Sequence, residues 1–183
     1  AQQVMGGGKA TLVDFDLTAD DEAVWGWGLG CNGAVELFVE PADKAADVSA
    51  DLRRALQEER ELIVVTALDA DALEGVERGA RLLVHPDGRR ERGLGNPEAD
   101  DAAAEAALEA FRNGASIKRE IAVGPPESQV VFTAFVEVLE PSPRLLLCGA
   151  GHDAIPVVHF AAQLGLRVYV IDDGERFLTK ERF

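Results

Sequence analysis

The residues with the clearest capacity for chemistry lie in the run Arg144-Leu-Leu-Leu-Cys-Gly-Ala-Gly-His-Asp-Ala154. It reads as a buried strand entering a G-x-G-x-x-A turn, followed by a helix and a second strand, Val168-Tyr-Val-Ile171, that ends in Asp172-Asp173. Each part has a physical task in binding a phosphate-bearing ligand. Gly149 permits a tight turn, and Gly151 removes the side chain that would hold the backbone away from a pyrophosphate. Ala154 lets the helix pack close to its strand, while the helix start offers unpaired N–H groups to an anion. A carboxylate about 20 residues further on, at the end of the second strand, is where a ribose hydroxyl would be read, and Asp172 is the better placed of the two acids. His152 lies within the loop and either faces the ligand space or caps the helix. The bland alternative is that the turn only closes a β-α-β packing unit.

A second candidate is the segment Gly28-Leu-Gly-Cys-Asn-Gly33. Glycines at 28, 30 and 33 open backbone conformations closed to other residues, so Cys31, with Gly30, Asn32 and Gly33, can be presented at a tight turn between strands. A thiolate is a nucleophile and a soft metal ligand only when its proton is displaced or its pKa lowered. The near charges, Asp20, Asp21 and Glu22, oppose that, and the competing role for Cys31 is a small residue filling a turn. Cys148 ends a leucine-rich strand, where a small hydrophobe is expected, and is read as structural. His85 and His159 are isolated and show no metal-ligand spacing, so no metal site is predicted. No G-x-S-x-G, Walker loop, H-E-x-x-H or Cys-x-x-Cys occurs, and no catalytic residue is assigned.

Around these motifs the pattern is α/β. Strands are expected at about residues 10–17, 34–40, 61–67, 80–85, 116–123, 129–139, 144–148 and 167–172, from alternating or β-branched runs. A helix from an Asp43 N-cap to about Arg60 has Val48, Leu52, Ala55 and Leu56 at helical spacing. An alanine-rich helix starts at Asn96-Pro97 and stops at Asn113-Gly114. Pro86-Asp87-Gly88 reads as a hairpin turn. Glu140-Pro-Ser-Pro143 is a stiff connector, and a domain boundary is placed there.

The 183 residues carry a formal charge of −15, which repels phosphate backbones and argues against a nucleic-acid surface. No apolar stretch approaches the ~20 residues of a membrane span. Two cysteines far apart suit a reducing cytoplasm better than a disulfide framework. Because a two-strand β-α-β element leaves an edge and a face uncovered, the chain is expected to be a piece of a longer protein.

The ordered combination of Asp20-Asp21, Trp25-x-x-Gly-Leu-Gly-Cys-Asn-Gly33, Val35-x-Leu-x-Val-Glu-Pro41, Leu147-x-Gly-Ala-Gly-His152 and Val170-x-Asp-Asp173 resembles the XdhC/CoxI family. These are accessory proteins for maturation of xanthine dehydrogenase and carbon monoxide dehydrogenase. The resemblance covers nearly the whole chain. It implies an N-terminal α/β domain over residues 1–140, incomplete at its start, and the beginning of a Rossmann-like domain over 141–183. It further implies a cytoplasmic, non-enzymatic chaperone that binds the molybdenum cofactor (molybdopterin), protects it during sulfuration, and delivers it to an apo molybdenum hydroxylase. A cysteine desulfurase would be a further partner, and a homodimer the expected assembly. On that resemblance Cys31 becomes the cofactor-contacting thiol, Gly149 and Gly151 the phosphate cradle, and Asp172 the sugar or pterin contact. The competing functions are an NAD(P)-dependent oxidoreductase and a regulatory nucleotide-binding module. Two departures from the family pattern stand out: no S-G-G-C-type motif precedes the first strand, and Gly174 stands where many relatives have Arg.

Overall fold

In a computed structural model of the chain, residues 4, 8–16 and 33–183 are described. They form two compact units, Ala1–Leu139 and Glu140–Phe183. In the first, β1 (Thr11–Asp16) pairs antiparallel with β2 (Ala34–Val39) as a two-stranded ribbon. After α1 (Ala42–Gln57) come β3 (Leu62–Asp69), β4 (Arg81–Val84), β5 (Arg90–Gly93), α2 (Pro97–Asn113), β6 (Ile117–Val123) and β7 (Val130–Leu139). These strands make a five-stranded sheet in the order β5-β4-β3-β7-β6, every neighbouring pair antiparallel. The α/β expectation holds.

The central position of β3 explains its unbroken apolar run. Ile63, Val65 and Ala67 point into the core beneath α2, whereas Leu62 and Val64 pack with Val48 and Ala55 of α1 on the opposite face. A strand covered on both sides has no polar-facing positions, so alternation disappears. The face of α2 toward the sheet is nearly all alanine, at positions 99, 103, 104, 106, 107 and 110. Short side chains let that helix lie close to the strands.

Helix ends follow local chemistry at α2 and depart from it at α1. Asn96 caps α2, its side-chain oxygen accepting from the Ala99 N–H at 3.1 Å, with Pro97 as the first helical residue. Gly114 ends it in the left-handed region at φ 63°. Asp43 does not cap α1. The cap position is Pro41, which has no side-chain donor or acceptor, and Asp43 lies inside the first turn, where its charge still suits the helix dipole. The helix ends at Gln57, and Leu56 is exposed. Strand β5 was not foreseen, because Arg90-Glu-Arg-Gly93 has no apolar alternation. It forms as the return of the hairpin, and Arg92 is tied to Asp51 of α1 by a 2.8 Å hydrogen bond.

In the second unit, β8 (Arg144–Cys148), α3 (Ala154–Gln163) and β9 (Arg167–Ile171) form a β-α-β element. Its two strands pair in parallel, Arg144 opposite Arg167 through Cys148 opposite Ile171. Leu145, Leu147, Val168 and Val170 are half-buried, while Leu146, Cys148, Tyr169 and Ile171 alternate with them and are exposed. Cys148 therefore does not fill a core position as expected. Its strand face is bare, with Leu146 60 % exposed.

Candidate functional site

Strand β8 delivers the chain directly into the glycine turn, and the backbone there is conformationally special. Gly149 has φ 113°, a region L-residues rarely adopt, and a Cβ placed on it would meet nothing within 4 Å. The constraint is thus on the backbone angle. At Gly151 an added Cβ would meet the side chain of Asp153. Ala150, between the two glycines, is fully buried, whereas Gly151, His152 and Asp153 are exposed. The structure thus presents the second half of the turn to solvent and anchors its middle.

Helix α3 begins at Ala154, whose N–H is engaged by the Gly151 carbonyl at 3.3 Å. Asp153, the cap position, makes no side-chain capping bond, and Pro156 in the first turn carries no N–H. The helix start still offers its dipole to an anion, with fewer donors than a turn lacking proline. Ala154 and Ala161 are buried, consistent with close packing of this helix on its sheet.

Asp172 is where the structure adds most. Its Oδ2 accepts the Ala150 N–H at 2.7 Å and its Oδ1 accepts the Gly174 N–H at 2.8 Å. One residue earlier, the Gly149 N–H donates to the Ile171 carbonyl at 2.7 Å. The Ala150 and Gly174 N–H groups, in that order, hold the Asp172 carboxyl below its ordinary pKa. Of the residues predicted for the site, Gly149, Gly151, His152 and Asp172 thus belong to one β-turn-α-β element. Gly30, Cys31 and Asn32 lie outside the described residues, and Gly33 sits at the entry to β2. Two participants were missed: the Ala150 amide and Gly174. A glycine two residues after an acid is a turn signal that could have exposed the second.

A separate concavity of about 680 Å³ lies in the first unit, lined among others by Lys9, Lys44, Arg78, Glu40, Asp71 and Glu77. Charges there are substantially paired: Arg78 with Asp69 at 3.5 Å, Lys44 with Glu77 at 4.0 Å, and Glu40 with Arg81 at 2.9 Å. Among the described residues no group of three or more His, Cys, Asp or Glu side chains could hold a metal ion, and no helix is long and apolar enough to cross a membrane.

A protein of Bacillus subtilis named as a probable xanthine dehydrogenase component is 26 % identical over 175 residues, 95 % of this chain and 46 % of the relative. That similarity agrees with the XdhC/CoxI resemblance of the sequence motifs. A crystal structure described as a xanthine dehydrogenase from Bacillus halodurans shares the fold of this chain, with a TM-score of 0.63 at 22 % identity over 100 % of this chain and 47 % of that one. No family model matches. The chain spans about half the length of the curated relative it matches.

Proposed function

We propose that this chain is part of a maturation factor that binds the molybdenum cofactor and passes it to an apo molybdenum hydroxylase such as xanthine dehydrogenase or carbon monoxide dehydrogenase. The observation that carries the reading is the glycine turn after β8. It exposes backbone at Gly151 while holding Gly149 at φ 113°, in a chain whose relatives carry xanthine dehydrogenase names. The start of α3 favours negative charge, and at Gly151 the missing side chain leaves room that the Asp153 carboxylate fills in the free chain, so a phosphate-bearing group would reach the backbone there once that surface side chain turns away. When bound, the cofactor would supply the molybdenum centre used by the acceptor enzyme.

In this reading Gly149 and Gly151 shape the cradle, the start of α3 orients the phosphate, and His152 borders it. Cys31, with Gly30, Asn32 and Gly33, is the proposed thiol contact. Its loop lies in sequence between β1 and β2, and its geometry is outside the described residues. A homodimer and a cysteine desulfurase partner are further parts of the same proposal. The test is transfer: protein purified from a molybdenum-replete host should carry pterin–molybdenum absorbance and activate an apo molybdenum hydroxylase. Cys31→Ala should retain the fold and lose cofactor retention or transfer. Gly151→Val should lose binding, because a branched Cβ would stand where the phosphate approaches. Unchanged binding by a folded Gly151→Val would remove the turn from the site.

A nucleotide-binding role, regulatory or in an NAD(P)-dependent oxidoreductase, is the second reading. Asp172-Asp173 directly after β9 favours it, since that is where a ribose hydroxyl is read in such units. Nicotinamide fluorescence in the purified protein, without pterin absorbance, would select it.

A further inference from the structure

The Asp172 carboxylate is used within the protein before any ligand arrives. Ala150 stands between two glycines, and a segment of that composition loses much conformational freedom when it is ordered. Two adjacent ties remove that freedom in advance. The Gly149 N–H reaches the Ile171 carbonyl at 2.7 Å, and the Ala150 N–H reaches Asp172 at 2.7 Å, across 22 residues of sequence. The second carboxylate oxygen is fixed in turn by the Gly174 N–H at 2.8 Å.

We propose that Asp172 is a positioning residue: it latches the glycine turn to the end of β9, so that the turn is preformed for its phosphate-bearing ligand. This deepens the reading of the turn as an anion cradle and rests on it. A carboxylate suits the task because it only accepts, so each oxygen can face an N–H. Asparagine cannot do the same, since its NH2 group would oppose one of the two donors. Asp172→Asn is therefore a severe change here, although it keeps shape and one acceptor. Each oxygen keeps acceptor capacity, so the same carboxylate could also accept from a ribose hydroxyl, and the experiment must separate latching from ribose reading.

The separation comes from a ligand without ribose. Calorimetric titration of the protein with inorganic pyrophosphate and with NAD, for the parent and Asp172→Asn, would be paired with amide hydrogen exchange at Ala150. Latching predicts that both affinities fall together, by about tenfold or more, as expected when binding must order the turn, and that the Ala150 amide exchanges at least about tenfold faster in the variant. Ribose reading alone would weaken NAD and leave pyrophosphate unchanged, and this would overturn the proposal, as would two unchanged affinities. If the parent binds neither probe, the cradle reading fails. The latch is then decided by exchange alone: a protected Ala150 amide in the parent supports it, and an unprotected one overturns it. That last measurement needs no variant to fold.

Discussion

In the first unit the central strand β3 is enclosed on both faces, by α2 and by α1, whereas β8 and β9 of the second unit are covered by α3 on one face and bare on the other. The contrast is quantitative. Phe132 is 1 % exposed in the first unit, while Leu146, Phe160 and Leu164 in the second are 60 %, 63 % and 79 % exposed. Buried residues of the β-α-β element are small, namely Ala150, Ala154 and Ala161. Apolar burial is the main favourable term in folding, so the first unit carries stability and the second carries local order around a turn. The order of that turn comes from the hydrogen bonds that tie Asp172 to Ala150 and Gly174 more than from a core.

The sharpest way to break this comparison is to separate the two units. Expressed alone, Ala1–Leu139 should unfold cooperatively on heating, and Glu140–Phe183 should give no cooperative transition by circular dichroism, because small units with thin cores are marginal. A sigmoidal melt of the isolated second unit would refute the division. Next in size, Phe132→Ala should cost about 3–5 kcal/mol in urea unfolding, whereas Phe160→Ala should change stability by no more than about 0.5 kcal/mol. Comparable losses would mean that the exposed face of α3 is covered in solution. Asn96→Ala removes the side-chain acceptor for the Ala99 N–H and should cost about 1 kcal/mol by the same assay.

The smallest effect concerns pH. The Glu91 carboxyl is held below its ordinary value of about 4.5, first by its hydrogen bond with His85 at 2.9 Å and then by Arg89. A depressed folded-state pKa contributes stability that is present above about pH 4.5 and is lost as pH falls through the lower folded value. Glu91 is 41 % exposed, so solvent screens the contribution. Glu91→Gln should therefore flatten the acid limb of the first unit's stability slightly and leave neutral pH nearly unaffected. An unchanged acid limb would show that the pair contributes nothing measurable.

Much of the framework was legible from local signals. The eight expected strands appear within one or two residues of their bounds, and α2 begins and ends where Asn96-Pro97 and Asn113-Gly114 place it. The turn after β8 was readable for the same reason, since the angle at Gly149 is a property of that residue and its neighbours. Other features were not. The charged run 90–93 has no strand pattern, and β5 depends on β4 as its partner and on Asp51 of α1 for the Arg92 contact. The exposure of Cys148 depends on which face of the β8–β9 sheet α3 covers, and strand composition alone predicted the opposite.

The sequence by itself determined the caps of α2, the turns, the strand positions and the presence of a glycine-rich turn after β8. Each of these rests on dihedral preferences and hydrogen bonds among residues a few places apart. Only the tertiary structure decided the antiparallel order β5-β4-β3-β7-β6 and the use of Asp172 as a bond to Ala150. Both join residues that are distant along the chain and meet only after folding. A carboxylate at a strand end carries no local mark of which distant N–H it will accept, because that choice is made by the parallel register of β8 and β9.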